Sequence, residues 1–320
     1  MAALTDELKI FSGRSNPALG DAICNYLNTR PGRVHAETFP DGELFVKLND
    51  DVRGRDVFVV QSTCRPVNDN LVELLVFMDC LRRASARRIT AVLPYFGYAR
   101  QDRKDEGRVP ITAKLVSNLI REAGADRVLT MDLHAAQIQG FFDIPVDHLN
   151  AEPVISRHFR DLDYKNVVFV SPDVGNVKRT RMHAEKTGSE LAIIDKRRTS
   201  GTTTVMFNII GDVEGKDIVM IDDMIATAGT VCEAAKIVRE RGARSIRCAA
   251  THAVFAGPAL ERLEKAPFTE IVVTDTIPLS NESRRRLPSL TVLSVAEVLG
   301  EAIARIHKHQ SVSSLFSNLS

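Results

Sequence analysis

Two similar α/β domains, each a doubly wound parallel sheet, are the fold class predicted by this sequence, on three observations. Short apolar, β-rich runs alternate with helical patterns along the whole chain. Those runs are too many for one sheet. A break at Asn150-Ala151-Glu152-Pro153, with Pro153 suited to the first turn of a helix, splits them into comparable halves, 1–150 and 151–320.

In order, the strand candidates are VFVVQ (57–61), ITAVLPY (89–95), VLTMDL (128–133), VVFVS (167–171), LAIID (191–195), IVMIDD (218–223), CAATHAVF (248–255) and IVVTDT (271–276). Near-continuous apolar runs of this kind belong in parallel sheets covered on both faces, with sites at the C-terminal strand ends. Each half carries a polar loop after an apolar strand, QSTCRPVND in the first and DDMIATAGT in the second, which predicts a degenerate internal duplication. RRTSGTTT (197–204) is small, polar and β-branched, and reads as an exposed hairpin or mobile loop.

The stretch 217–243, DIVMIDDMIATAGTVCEAAKIVRERGA, carries the most chemistry. Val219, Met220 and Ile221 form an apolar strand, and Val231, Ala234, Ala235 and Val238 recur at helical spacing. Between them, the amides of Thr227, Ala228, Gly229 and Thr230, aimed by a helix N-terminus, can bind a phosphate dianion, with two threonine hydroxyls as further donors. Asp222 and Asp223 would repel that phosphate. They are suited instead to accept hydrogen bonds from ribose hydroxyls or to hold a divalent cation. The competing reading is a strand-turn-helix whose acids only cap the helix.

Composition excludes several classes. With 320 residues the chain can bury two cores, and a net charge of +1 provides no global field for nucleic acid, despite Arg82, Arg83, Arg87 and Arg88, which read as solvated helix ends or subunit contacts. Cys24, Cys64, Cys80, Cys232 and Cys248 are odd in number and lack CxxC spacing, which suits reduced thiols. MAALTDELKIF is not a signal sequence and no apolar run approaches membrane-spanning length, so a soluble, cytoplasmic protein is expected. Neither a Walker loop nor a GxGxxG after a strand occurs. Any nucleotide must be held otherwise: Arg100, Gln101, Asp102, Arg103 and Lys104 follow a strand and turn where cations reach triphosphate oxygens and aromatic neighbours support a purine. Asp132 and His134, two apart at a strand end, are expected on one face.

FPDGE (39–43), QSTCRPVNDNL (61–71), PYFGYARQDRK (94–104), RVPITAK (108–114), DLHAAQIQGFF (132–142), SPDVG (171–175), IDKRR (194–198) and Asp222-Asp223-Met224-Ile225-x-Thr227-x-Gly229-Thr230 together resemble the class I ribose-phosphate pyrophosphokinases, collinearly from about Phe11 to Phe316. The resemblance implies domains of the type I phosphoribosyltransferase kind. It also implies that Arg100, Gln101, Asp105 and His134 bind ATP together with Phe39, Asp41, Gly42 and Glu43 of a neighbouring subunit. It places His134 and Asp173 at a magnesium-triphosphate site, where Asp173 is the better direct or water-mediated ligand for Mg2+. Asp222, Asp223, Ala226, Thr227, Ala228, Gly229 and Thr230, with Arg198, are matched to ribose 5-phosphate. Lys196 and Arg198 are matched to transition-state stabilisation, carried by a mobile loop that closes over the triphosphate. Arg53, Ser311 and Ser313 match a regulatory site for inorganic phosphate or ADP, and the expected assembly is a hexamer built from dimers.

The implied reaction is attack of the anomeric hydroxyl of ribose 5-phosphate on the β-phosphorus of Mg-ATP. It releases AMP and needs no covalent enzyme intermediate. One departure stands out: Ala226 occupies a position where the family commonly has aspartate. That opens a second reading, a non-catalytic paralogue resembling the synthetase-associated proteins, against which Lys196, Arg198, His134, Arg100 and Gln101 argue. A phosphoribosyltransferase that consumes PRPP would share the acidic loop without needing the ATP-site strings.

Overall fold

The computed structural model describes residues 7–198, 205–313 and 315, and the expected loop at 199–204 lies outside them. The chain divides into two compact units. The described parts of Met1–Pro153, Thr276–Pro278 and Ser294–Ser320 form the first, and Val154–Asp275 with Leu279–Leu293 form the second.

In the first unit the elements are β1 (Leu8–Ser12), α1 (Pro17–Tyr26), β2 (Val34–Thr38), β3 (Leu44–Leu48), β4 (Asp56–Val60), α2 (Val67–Arg83), β5 (Arg88–Leu93), α3 (Thr112–Ala123), β6 (Arg127–Met131) and β7 (Val146–Leu149). The parallel sheet runs β1-β4-β5-β6-β7, while β2 and β3 form a separate antiparallel hairpin. All five residues of β4 are buried, the apolar run Val57–Val60 as its unbroken pattern requires. Asn16 caps α1 by accepting from the Leu19 amide, and Pro17 supplies a first-turn residue that needs no hydrogen-bond acceptor.

The second unit holds α4 (Glu152–Phe159, which begins in the first), β8 (Val167–Ser171), α5 (Val177–Thr187), β9 (Glu190–Arg198), β10 (Val205–Ile210), β11 (Asp217–Ile225), α6 (Gly229–Glu240), β12 (Ser245–Ala253), α7 (Ala259–Lys265), β13 (Glu270–Thr274), α8 (Asn281–Arg286) and β14 (Leu290–Leu293). Its sheet runs β10-β9-β8-β11-β12-β13-β14, parallel throughout except for the β9–β10 pair. From β8 the chain winds outward to β9 and then returns to build β11 to β14 on the other side. A topological switch point therefore lies between β8 and β11, where loops diverge and leave a crevice.

A single cut at 150/151 does not describe this division. The last helix, α9 (Ala296–His307), packs on α1 in the first unit, burying Leu299, Ala302, Ile303 and Ile306. Helical periodicity shows which face of α9 is apolar but not which sheet it covers. Arg88 also differs from its reading as a solvated end. It forks onto the fully buried Asp56 (Nε to Oδ1 2.8 Å, Nη2 to Oδ2 2.5 Å), and His307 Nδ1 lies 2.8 Å from the same carboxylate. A buried acid requires such partners, and they come from β5 and α9. Arg82 and Arg83 do pair at the surface, both with Asp79, and Arg87 with Glu7.

Candidate functional site

In the first unit the residues of interest follow the C-terminal ends of β4, β5 and β6. Gly97 lets the loop after β5 lie on the loop after β4: a Cβ there would sit 2.4 Å from the Thr63 carbonyl, and the Gly97 amide donates to Thr63 Oγ1 at 2.6 Å. Beyond this contact the chain opens a cavity of about 450 Å³ lined by Arg100, Gln101, Asp102, Arg103, Asp105 and His134, among others. Gln101 is fixed at both ends, its amide to Tyr98 O at 2.9 Å and its Oε1 accepting from Thr112 Oγ1 at 2.5 Å. Gln137 Nε2 donates to Asp102 Oδ2 at 2.7 Å and so ties the loop after β5 to the turn after His134.

Two expectations fail here. Asp132 and His134 do not share a face, because β6 ends at Met131 and Asp132 has φ of 40°, which breaks the alternation. Asp132 turns inward, buried and accepting from the Ala151 amide at 3.0 Å, while His134 is exposed at the cavity. Nor do the aromatic neighbours wait for a purine: Tyr95 and Phe96 are core residues, and Tyr98 donates its hydroxyl to Asn68.

Phe39, Asp41, Gly42 and Glu43 form the tip of the β2–β3 hairpin. Phe39 N to Glu43 O is 2.8 Å, and Gly42 takes φ of 94°, which only glycine adopts without strain. Phe39 is 41% exposed against Phe45, with ring centroids 5.8 Å apart. None of these four lines the cavity of its own chain. Arg53 reaches Ser85 Oγ at 3.2 Å. Ser311 and Ser313 form a turn after α9, where Arg305 Nη1 donates to the Ser311 carbonyl at 3.2 Å.

In the second unit, the predicted acids and phosphate loop meet at the switch point. Asp222 and Asp223 lie in the last turn-ward residues of β11, and residues 226–228 lead into α6. Ala228, in the left-handed conformation, is the residue before α6, and no side chain caps that helix. The acids therefore do not cap it, and the first amides are left facing the loop that Thr227 and Thr230 expose. Ala226 and its neighbour are anchored through their carbonyls, accepting from Ala256 N at 2.9 Å and, for Ile225, from Phe255 N at 3.0 Å. The acid pair is sunk in the sheet end: the Asp223 amide donates to Asp222 Oδ1 at 2.8 Å, and burial, then the neighbouring Asp223 carboxyl, raises the Asp222 carboxyl to about 8.

Across the crevice, Asp173 follows β8 and accepts the Asn176 amide on Oδ1 at 3.0 Å. Among the described residues no cluster of three metal-ligating side chains occurs. One or two carboxylates fit Mg2+, which keeps its waters and takes substrate phosphates as ligands. The backbone of Lys196 and Arg198 continues β9, in register with Phe207 and Val205 of β10, but their side chains lie outside the described part.

Three residues escape the sequence reading. Arg179 of α5 places Nη1 3.9 Å from Asp223 Oδ1, Arg262 of α7 donates to the Thr227 carbonyl at 2.9 Å, and Asn176 reaches the Ile221 carbonyl at 2.6 Å. Each is one polar residue among many in its helix or turn, and only the tertiary fold brings it to the loop.

Sequence comparison gives these features a context. A profile for the N-terminal domain of ribose phosphate pyrophosphokinase matches residues 8–124, and one for the phosphoribosyl synthetase-associated domain matches residues 202–317. A ribose-phosphate pyrophosphokinase of Rhodopirellula baltica is 62% identical over 313 residues, covering 97% of this chain and 98% of that protein. One of Gloeobacter violaceus is 53% identical, with 97% and 93% covered. The crystal structure of phosphoribosylpyrophosphate synthetase from Mycobacterium smegmatis superposes with a TM-score of 0.88 at 42% identity, over 95% of this chain and 100% of that one.

Proposed function

The chain belongs to the ribose-phosphate pyrophosphokinase family, and on that premise we propose how its residues divide the transfer of the β,γ-pyrophosphoryl group of ATP to ribose 5-phosphate. The loop after β11 holds the sugar phosphate: amides of Thr227, Ala228, Gly229 and Thr230 meet the dianion, and Asp222 and Asp223 accept from the ribose hydroxyls. Arg100, Gln101, Asp105 and His134 hold ATP in their cavity. The exposed hairpin tip Phe39, Asp41, Gly42 and Glu43 completes that cavity in a neighbouring copy, within a hexamer built from dimers. Arg53, Ser311 and Ser313 take inorganic phosphate or ADP as regulators. The site of action is the cytoplasm; among the described residues no helix is long and apolar enough to cross a membrane.

Asp173 and His134 would hold Mg2+ brought with ATP, and the ion would neutralise triphosphate charge. The sugar loop presents the anomeric oxygen to the β-phosphorus. A bond forms between them, the bond from the β-phosphorus to the oxygen it shares with the α-phosphorus breaks, AMP leaves with that oxygen, and the hydroxyl proton is released. Such chemistry rests on in-line placement and charge compensation, to which Lys196 and Arg198 contribute from the end of β9.

The observation that carries this reading is the coexistence, in one chain, of a polar cavity lined by Arg100, Gln101, Arg103 and His134 and a strand-loop-helix whose first helical amides no side chain caps. A transferase that consumes PRPP needs only the second. AMP release from ATP, measured with and without ribose 5-phosphate, tests it. Sugar-dependent AMP and PRPP with no labelled enzyme are expected, and ADP as product, or no sugar dependence, overturns it.

A further inference from the structure

The two strands that flank the crevice separate before the acids are reached. β8 and β11 pair only from Val167↔Asp217 to Phe169↔Val219, so the Ile221 carbonyl, immediately before Asp222 and Asp223, receives nothing from β8. Asn176 fills that vacancy in the ladder: its Nδ2 donates to Ile221 O at 2.6 Å. The residue is itself held at both main-chain ends, its amide on Asp173 Oδ1 at 3.0 Å and its carbonyl accepting from Thr180 Oγ1 at 3.1 Å. One turn further along α5, Arg179 faces Asp223. A splayed pair of strands has no reason of its own to keep a fixed gap, and each unmatched ladder group near the crevice is a point at which the strand end can shift.

We propose that Asn176 is a positioning residue for sugar recognition: its carboxamide replaces the missing ladder bond and holds the Asp222–Asp223 end of β11 at a set distance from the Asp173 turn. This rests on the reading of Asp222 and Asp223 as ribose ligands. The residue touches neither substrate. It acts by keeping two acids where a ribose ring meets both, which matters more in a chain whose loop carries Ala226 and so has one fewer side chain able to grip the sugar.

The test is calorimetric titration of the full-length protein with ribose 5-phosphate, in the absence of metal and nucleotide, for the natural chain, Asn176→Ala and Asn176→Asp. Loss of one hydrogen bond that orders the ligands predicts roughly three- to tenfold weaker sugar binding by Asn176→Ala, with ATP binding within twofold. Asn176→Asp has nearly the same shape but, when ionised, sets a carboxylate against a carbonyl. It should bind the sugar at least as weakly as Asn176→Ala, because a carboxylate cannot donate to the Ile221 carbonyl. A loss confined to the sugar, with ATP binding within twofold in both variants, is not expected of a residue that only contributes to folding. Thermal melts show whether Asn176→Ala folds, and the near-isosteric Asn176→Asp keeps the question open to measurement if it does not. Sugar affinity unchanged in both variants, or sugar and ATP affinity falling together, overturns the proposal. If the natural protein itself does not bind ribose 5-phosphate, the sugar-site reading fails instead.

Discussion

Restoring a carboxylate at position 226 tests how the sugar loop works without one. Ala226 is half-buried, its carbonyl is fixed by the Ala256 amide, and it follows the acid pair by three residues on the way to the uncapped first amides of α6. If Asp at this position accepts one hydrogen bond from a ribose hydroxyl, Ala226→Asp should tighten ribose 5-phosphate by about 0.5 to 1.5 kcal/mol, or roughly 2- to 12-fold in Kd. The opposing effect is repulsion among three acids and the sugar phosphate. Its size depends on how much charge the pair already carries, and because burial holds the Asp222 carboxyl up at about 8, the pair is short of full charge at pH 7. The gain therefore should be larger at pH 6.5 than at pH 9, where Asp222 ionises and adds like charge. Titration calorimetry with Mg2+ present, on both proteins and at both pH values, reads it directly. ATP affinity should stay constant, since Ala226 is not among the residues proposed to hold ATP. Weaker sugar binding by Ala226→Asp at pH 6.5, or a gain that grows with pH, would refute this account and show a loop adapted to alanine.

Lys196→Ala and Arg198→Ala should each lower kcat on the order of 10²-fold or more with a small change in the ribose 5-phosphate KM, because charge develops mainly in transfer; steady-state kinetics showing only weakened sugar binding would assign them a different role. Asp222→Asn should raise the Tm of the ligand-free protein, more at pH 8 than at pH 5. An acid whose carboxyl is raised from 3.8 keeps its proton in the folded state where the unfolded chain has lost it, so its burial costs stability as pH climbs between those values, and a uniform or absent effect in melts would contradict it. Asp56→Ala leaves Arg88 and His307 facing a buried hole and should cost about 3 to 5 kcal/mol in denaturant unfolding, whereas less than 1 kcal/mol would mean that water replaces the carboxylate.

What the sequence discloses follows the range of each signal. The apolar runs at 57–61, 167–171 and 218–223 locate β4, β8 and β11 because a strand buried on both faces leaves an unbroken local pattern. The acidic loop is legible for the same reason, since strand, small residues and helix are contiguous in the chain. The hairpin at Val34–Leu48 is not anticipated, because its alternation of half-buried and exposed residues is weak, and Asp132 turns away because a single left-handed residue ends a two-residue period. Arg179, Arg262 and Asn176 are invisible beforehand for another reason: each matters only through a partner tens of residues away, and polar residues on helices and turns are ordinarily solvated.

The return of α9 to the first unit also bears on the order in which the protein can be made. A ribosome delivers β1 to β7 first, Arg88 among them, yet the cover that α9 gives to the apolar face of α1, and the His307 partner of the buried Asp56, must wait until the whole of the second unit has emerged. During synthesis the nascent first unit is left with an open seam, and closing it is a late, long-range step of high contact order. Lesions in the last helix should accordingly show up as misfolding of the half that is translated first.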